Sequence, residues 1–132
     1  MAKLNIFISQ PMHGLSEREI LAERDRIEEV LHKLFPNDEL EFLSGYTSEP
    51  PCLQDETRER IYRLGCSIEI MAKADYVFFA HGYTSAEGCM VEWTTCFQYD
   101  TQYIKEVPRP QNYQDETSSY RYEVHNFGGN RV

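Results

Sequence analysis

No stretch of this sequence approaches the roughly 18 consecutive apolar residues that a membrane span requires. Met1-Ala2-Lys3-Leu4-Asn5 leads directly into a short strand-like run and lacks the long apolar core of a signal peptide, so a soluble, cytoplasmic protein with no membrane partner is expected. Basic residues are scarce: 13 Lys and Arg stand against 22 Asp and Glu, for a net charge of −9 and a pI near 4.9. So acidic a chain repels phosphate backbones, which argues against nucleic acid as a partner and leaves room only for a small anion held by local backbone N–H groups. Four cysteines (Cys52, Cys66, Cys89, Cys96) form no CxxC pair, and three of them fall in apolar helical patterns. They read as buried, reduced thiols rather than a disulfide framework or a zinc site. There is no GxGxxG, no Walker loop, no GxSxG elbow and no HExxH, so the chemistries those motifs carry have no support.

What is present is an alternation of strand and helix patterns within 132 residues, the size of one domain. The apolar run Leu4 to Ile8 reads as a buried first strand ending at Ser9-Gln10-Pro11. Ser16 and Glu19 fit a capping box. Ile20, Leu21, Ile27, Val30, Leu31 and Leu34 then recur at helical spacing until Pro36, with Glu23, Arg24, Asp25, Glu28 and Glu29 expected on a solvated face. A second strand from Glu39 to Leu43 precedes a long loop, Ser44 to Asp55. A helix from Glu56 into Ala72 is expected to turn Ile61, Leu64, Ile68 and Met71 inward. The clearest strand, Asp75 to Ala80, opens a glycine-containing loop from His81 to Gly88, followed by a helix from about Cys89 to Tyr99 and a last strand from Gln102 to Val107. The expectation is an α/β, Rossmann/flavodoxin-like three-layer sandwich with a mostly parallel sheet of four or five strands, filling residues 1–107. Residues 108–132 read as a polar tail whose Tyr113, Tyr120, Tyr122 and Phe127 pack on their own domain or on a neighbouring subunit.

In such sheets ligands lie beyond the carboxyl ends of the strands, here the loops starting at Ser9, Ser44 and His81. His13 and His81 lie in those loops and read as surface residues. One residue breaks the core pattern. Glu92 shares the inward stripe of its helix with Cys89, Trp93 and Cys96. A carboxylate there is paired, neutralised or set at the rim of a pocket, and two readings stand, a structural glutamate or a catalytic one.

The segment Ile6-Phe7-Ile8-Ser9-Gln10-Pro11-Met12-His13-Gly14, with Ile20 through Arg26 behind it, resembles the opening of the nucleoside 2-deoxyribosyltransferase-like family, in particular a small branch common in bacteriophage genomes. Ser67 through Asp75, Gly82, and Gly88-Cys89-Met90-Val91-Glu92 resemble the stretch of that family that runs from the nucleobase side of its site to its nucleophile. The resemblance covers Asn5 to about Tyr103. It implies a glutamate, here Glu92, that attacks C1′ of a nucleoside and forms a glycosyl ester later resolved by water or another base. It further implies that Ser9, Gln10, Met12 and Gly14 line the sugar or phosphate side, that Gly82, Tyr83, Ser85 and Gly88 support the ligand, and that Ser67 faces the base. The implied ligand is a small nucleoside or nucleotide, with no metal and no organic cofactor. Sites in this family are completed between subunits, so a homo-oligomer is expected, and a phage origin would place the chain in the host cytoplasm. The chain departs from the family pattern at three positions: Ser67 and Ala86 stand where aspartates are usual, and Phe7 stands where a tyrosine orients the nucleophile. Ser85, beside Ala86, would suit a 5′-phosphate, and Tyr83 or Tyr46 would be the source of a replacement hydroxyl. A second function, sequestration of an ADP-ribose-type signalling nucleotide by a catalytically weak, anti-defence protein, fits the same residues, as does a structural oligomer with a vestigial pocket.

Overall fold

A computed structural model describes residues 3–43, 55–109 and 119–126. In chain order they form β1 (Lys3–Ser9), α1 (Glu17–Leu34), β2 (Glu39–Leu43), α2 (Glu56–Met71), β3 (Tyr76–Phe79), a short 3-10 turn (Tyr83–Ser85), α3 (Glu87–Tyr99), β4 (Tyr103–Pro108) and β5 (Tyr120–His125). The sheet order is β2-β1-β3-β4-β5, parallel throughout except for β5. This is the flavodoxin-like order, and the chain reverses direction across the sheet between β1 and β3. A right-handed crossover outward to β2 and then back to β3 must place its helices on opposite faces. Accordingly Ile27 and Leu31 of α1 pack with Ile6, Ile8, Phe78, Ala80 and Ile104 on one side. On the other side, Met71 of α2 and Cys96 of α3 pack with Phe7, Val77 and Phe79.

Local chemistry sets the boundaries. The capping box of α1 is complete: Ser16 Oγ accepts from the Glu19 N–H and Glu19 Oε1 accepts from the Ser16 N–H, each at 3.1 Å. Asp55 caps α2 by accepting the Arg58 N–H at 2.7 Å. α3 ends at Asp100, left-handed at φ 56°, whose carboxylate meets His125 of β5 at 2.8 Å.

The structure departs from the sequence reading at four points. Residues 120–125, expected in a tail beyond the domain, form β5 and pair in antiparallel register along the whole of β4. β4 runs one residue past 107, and with β5 along its far side the last parallel strand is internal rather than the sheet edge. Leu21 and Ile61 are 56% and 65% exposed, because the helix stripes that meet the sheet are centred elsewhere, on Ile27/Leu31 and on Ile68/Met71. Glu23 and Arg24, expected on a solvated face, are half-buried: Arg24 donates to the Leu43 carbonyl, and Glu23 pairs with Arg26. The loop at 44–54, with Cys52 and Tyr46, and the tail residues Tyr113 and Phe127 lie outside the described residues. Cys66, Cys89 and Cys96 are free thiols; Cys89 and Cys96 are buried as expected, whereas Cys66 on α2 is only half-buried. No described helix is long and apolar enough to cross a membrane.

Candidate functional site

The carboxyl ends of β1 and β3 meet at the point where strand order reverses. The Ala80 N–H donates to the Ser9 carbonyl at 3.0 Å, extending the β1–β3 pairing past the last strand residue. Gly82 follows in the left-handed region at φ +83°, and a Cβ there would lie 3.6 Å from Pro11 of the first loop. The loops after β1 and β3 are therefore in contact, and Ser9 and α3 lie on the same face of the sheet.

Across that contact, Ser9 Oγ donates to Glu92 Oε1 at 2.7 Å. Ser9 is 2% exposed and Glu92 7%. The hydroxyl comes from a residue expected to touch ligand rather than the carboxylate. Tyr83, the alternative source, instead packs its ring against Phe79 and Trp93. Burial pushes the Glu92 carboxyl up to about 7, and the Ser9 hydroxyl offsets this only in part; no cation among the described residues contributes. The helix begins at Glu87, two residues earlier than its sequence suggests, so Glu92 sits in the second turn, where the helix dipole no longer favours its anion. Cys89, one turn before, also engages Ser9, and burial drives its thiol up to about 11, which makes it unreactive at neutral pH.

The other expected residues divide. Gln10 is buried beside Ser9, but its Nε2 donates to the Ile20 carbonyl of α1 at 3.2 Å, and its Oε1 is buried without a partner. Met12 and Gly14 are exposed in the first loop, with Gly14 at φ +80°. Ser85 and Gly88 are exposed around the start of α3, which no side chain caps. Ser67 is half-buried on α2. His13 is exposed and His81 half-buried.

A second buried carboxylate on the opposite face of the same sheet edge escaped the sequence reading. Glu106 of β4, 1% exposed, receives both Arg26 guanidinium nitrogens at 2.8 and 2.9 Å, the Tyr122 hydroxyl at 2.9 Å and the His81 backbone N–H at 3.1 Å. Tyr120 stacks on His81 at 4.7 Å and lies over Arg26 at 5.3 Å. Burial pushes Glu106 upward, but Arg26, His81 and Tyr122 outweigh it and hold the carboxyl below its ordinary value. The signal was legible, since Ile104 faces the core and strand periodicity sends Glu106 the same way.

The two glutamates thus have opposite electrostatics. Glu106 is neutralised by Arg26 and bonded to Tyr122 and the His81 N–H, whereas Glu92 is buried and, among the described residues, has the Ser9 hydroxyl as its one hydrogen-bond partner. A buried carboxylate poised near neutrality at a strand-order reversal has the profile of a functional group. Among the described residues no cluster of three or more His, Cys, Asp or Glu is arranged to hold a metal. A concavity of about 310 Å³ on α3 is lined by Met90, Val91, Thr94, Thr95, Gln98 and Tyr99. Comparison with protein-family models, curated proteins and solved structures finds no match to this chain.

Proposed function

We propose that this chain cleaves or exchanges the N-glycosidic bond of a nucleoside or nucleotide, with Glu92 as the nucleophile, and that it belongs with the nucleoside 2-deoxyribosyltransferase-like proteins its sequence resembles. The observation that carries the reading is the uncompensated, buried Glu92 joined to Ser9 at the reversal point of the sheet. An ionised Glu92 oxygen forms a bond to C1′, and the C1′–N bond breaks with its electron pair leaving on the base, which takes a proton from water. Water, or the nitrogen of a second base, then attacks C1′ and returns the carboxylate. Ser9 acts as a positioning residue: its donated hydrogen bond fixes one carboxylate oxygen and leaves the other for attack. Met12, Gly14, Gly82, Ser85 and Gly88, on the adjoining loops, would contact the sugar or its phosphate, and Ser67 the base. The reading takes the protein as a homo-oligomer acting on a small molecule in the cytoplasm.

The test is a panel of nucleosides, deoxynucleoside monophosphates and cyclic ADP-ribose-type nucleotides, assayed for free base with the native chain and Glu92→Gln. Base release that falls by about three orders of magnitude in the variant supports the reading. So does a glycosyl adduct on Glu92, detected by mass spectrometry. The sequestration reading is favoured by a different observation: Glu92 has no acid–base carboxylate beside it among the described residues. An unchanged nucleotide that raises the Tm would establish sequestration instead. Full activity in Glu92→Gln overturns the glycosidase.

A further inference from the structure

We infer that His81, held by Glu23, is the proton donor for the departing base, so that it and Glu92 work on one glycosidic bond from opposite faces of the sheet. The inference rests on the Glu92 reading and replaces water as the source of the base's proton. Breaking a C1′–N bond leaves an electron pair on the base, and a positioned acid that protonates it speeds the step by about 10²- to 10⁴-fold. Position singles out His81. The Ala80 N–H on the Ser9 carbonyl joins the ends of β1 and β3, and His81 is the next residue. Glu92 reaches that junction through Ser9 from the α3 side. The His81 side chain turns to the other side, where it meets Glu23 of α1 and Tyr120 of β5. A sugar lying over the strand ends then has a carboxylate on one flank and an imidazole on the other, the division of nucleophile from acid that glycoside cleavage uses.

The imidazole is also oriented. Its Nε2 lies 3.5 Å from Glu23 Oε2, its ring stacks on Tyr120 at 4.7 Å and 23°, and its backbone N–H donates to Glu106 at 3.1 Å. A carboxylate at Nε2 favours a proton on that nitrogen and leaves Nδ1, which has no partner among the described residues, to exchange a proton with ligand. The side chain is 35% exposed, so the ring is within reach of a bound molecule. Glu23 and Glu106 both pair with Arg26, and Tyr122 donates to Glu106. Two carboxylates thus share one guanidinium, and an imidazolium at His81 supplies the second positive charge. The other described histidines do not fit. His13 is exposed, with no side chain among the described residues to fix its ring, and His32 and His125 lie toward the amino ends of the parallel strands. In the first step Glu92 bonds to C1′, the C1′–N pair leaves on the base, and the Nδ1 proton of the imidazolium passes to that base. In the second, neutral His81 takes a proton from the water that attacks C1′, and the ester bond breaks with its electrons returning to Glu92.

The test compares leaving groups. The base of 2′-deoxyguanosine needs a proton as the bond breaks, whereas that of 7-methyl-2′-deoxyguanosine is already cationic and departs without one. Both nucleosides and their 5′-monophosphates are assayed for free base with the native chain, His81→Gln and Glu92→Gln. His81→Gln should slow release from the unmethylated substrates by about 100-fold or more and leave the methylated ones near the native rate, whereas Glu92→Gln should stop all four. If circular dichroism shows His81→Gln misfolded, Glu23→Gln carries the test and should show the same selectivity at smaller size. A loss of equal size on methylated and unmethylated substrates, or no loss, overturns the role of His81 and leaves that of Glu92 standing. A native chain that releases no base from any of the four overturns both.

Discussion

Replacing Glu92 by Gln should stabilise the protein at alkaline pH and not at acid pH. The ordinary value for a glutamate is 4.5, and burial raises Glu92 to about 7 in the folded chain. Between those values the folded state keeps a proton that the unfolded state has released, so stability falls as pH rises. Below 4.5 both states are protonated and nothing is lost; above about 7 both are ionised and the full penalty of the buried charge is present. At about 1.4 kcal/mol per pH unit, the window costs about 3 kcal/mol in all, of which about 2–3 kcal/mol falls between pH 5 and pH 8. Glutamine has a similar shape, can accept the Ser9 hydrogen bond and does not titrate. Urea unfolding of both chains at the two pH values isolates the effect, because every other titrating group cancels in the double difference. The variant should gain about 2–3 kcal/mol relative to the native chain on going from pH 5 to pH 8. A variant equally destabilised at both pH values would show that Glu92 is a satisfied structural anion, and the argument for its function would fail with it.

Two further outcomes follow from the same geometry. Ser9→Ala removes the one donor that favours the Glu92 anion, so the pH at which base release or stability responds to Glu92 should move above about 7; a pH profile unchanged by the substitution would refute the positioning role. Glu106→Gln breaks the paired interaction with Arg26 and should cost about 2–3 kcal/mol by urea titration at pH 7, less than a fully enclosed pair because Arg26 keeps a third of its side chain in water. Because the folded Glu106 carboxyl lies below its ordinary value, that contribution is present above the ordinary value and disappears as pH falls through the folded one, so the gap should close in acid.

The elements that could be read from sequence were those whose signals are local. Ser16 and Glu19 announce the start of α1, and both of their hydrogen bonds form. Leu4 to Ile8 and the residues of β3 are apolar runs bounded by polar or glycine residues, and each became a central strand. Glu92 was conspicuous for sharing a stripe with Cys89 and Cys96, and all three are buried. β5 alternates as a strand should, with Tyr120, Tyr122 and Val124 at period two, but sits amid polar residues that resemble a tail; only antiparallel pairing with β4 reveals it. Ser9 and Glu92 are 83 residues apart, and nothing local joins them until β1 lies beside β3. The inward centres of α1 and α2 likewise depend on which sheet positions they meet, which is why Leu21 and Ile61 were misplaced.

The Glu106 cluster has a consequence for how the molecule is made. Arg26 is synthesised 80 residues before Glu106, and Tyr122 follows 16 residues after it. While the chain grows on the ribosome, α1 emerges with the Arg26 guanidinium paired only to Glu23 of its own helix, and β4 must then insert a carboxylate into the core beside β3. That insertion is unfavourable until Arg26 closes over it, and it is incomplete until the Tyr122 hydroxyl arrives with β5. Closing so long a loop is only modestly harder than closing a short one, about 0.6 kcal/mol for each doubling, so the delay comes from order of appearance rather than entropy. The final strand therefore acts as a late assembly step. Until it docks, the nascent chain exposes the bonding edge of β4, a row of N–H and C=O groups open to pairing with another strand.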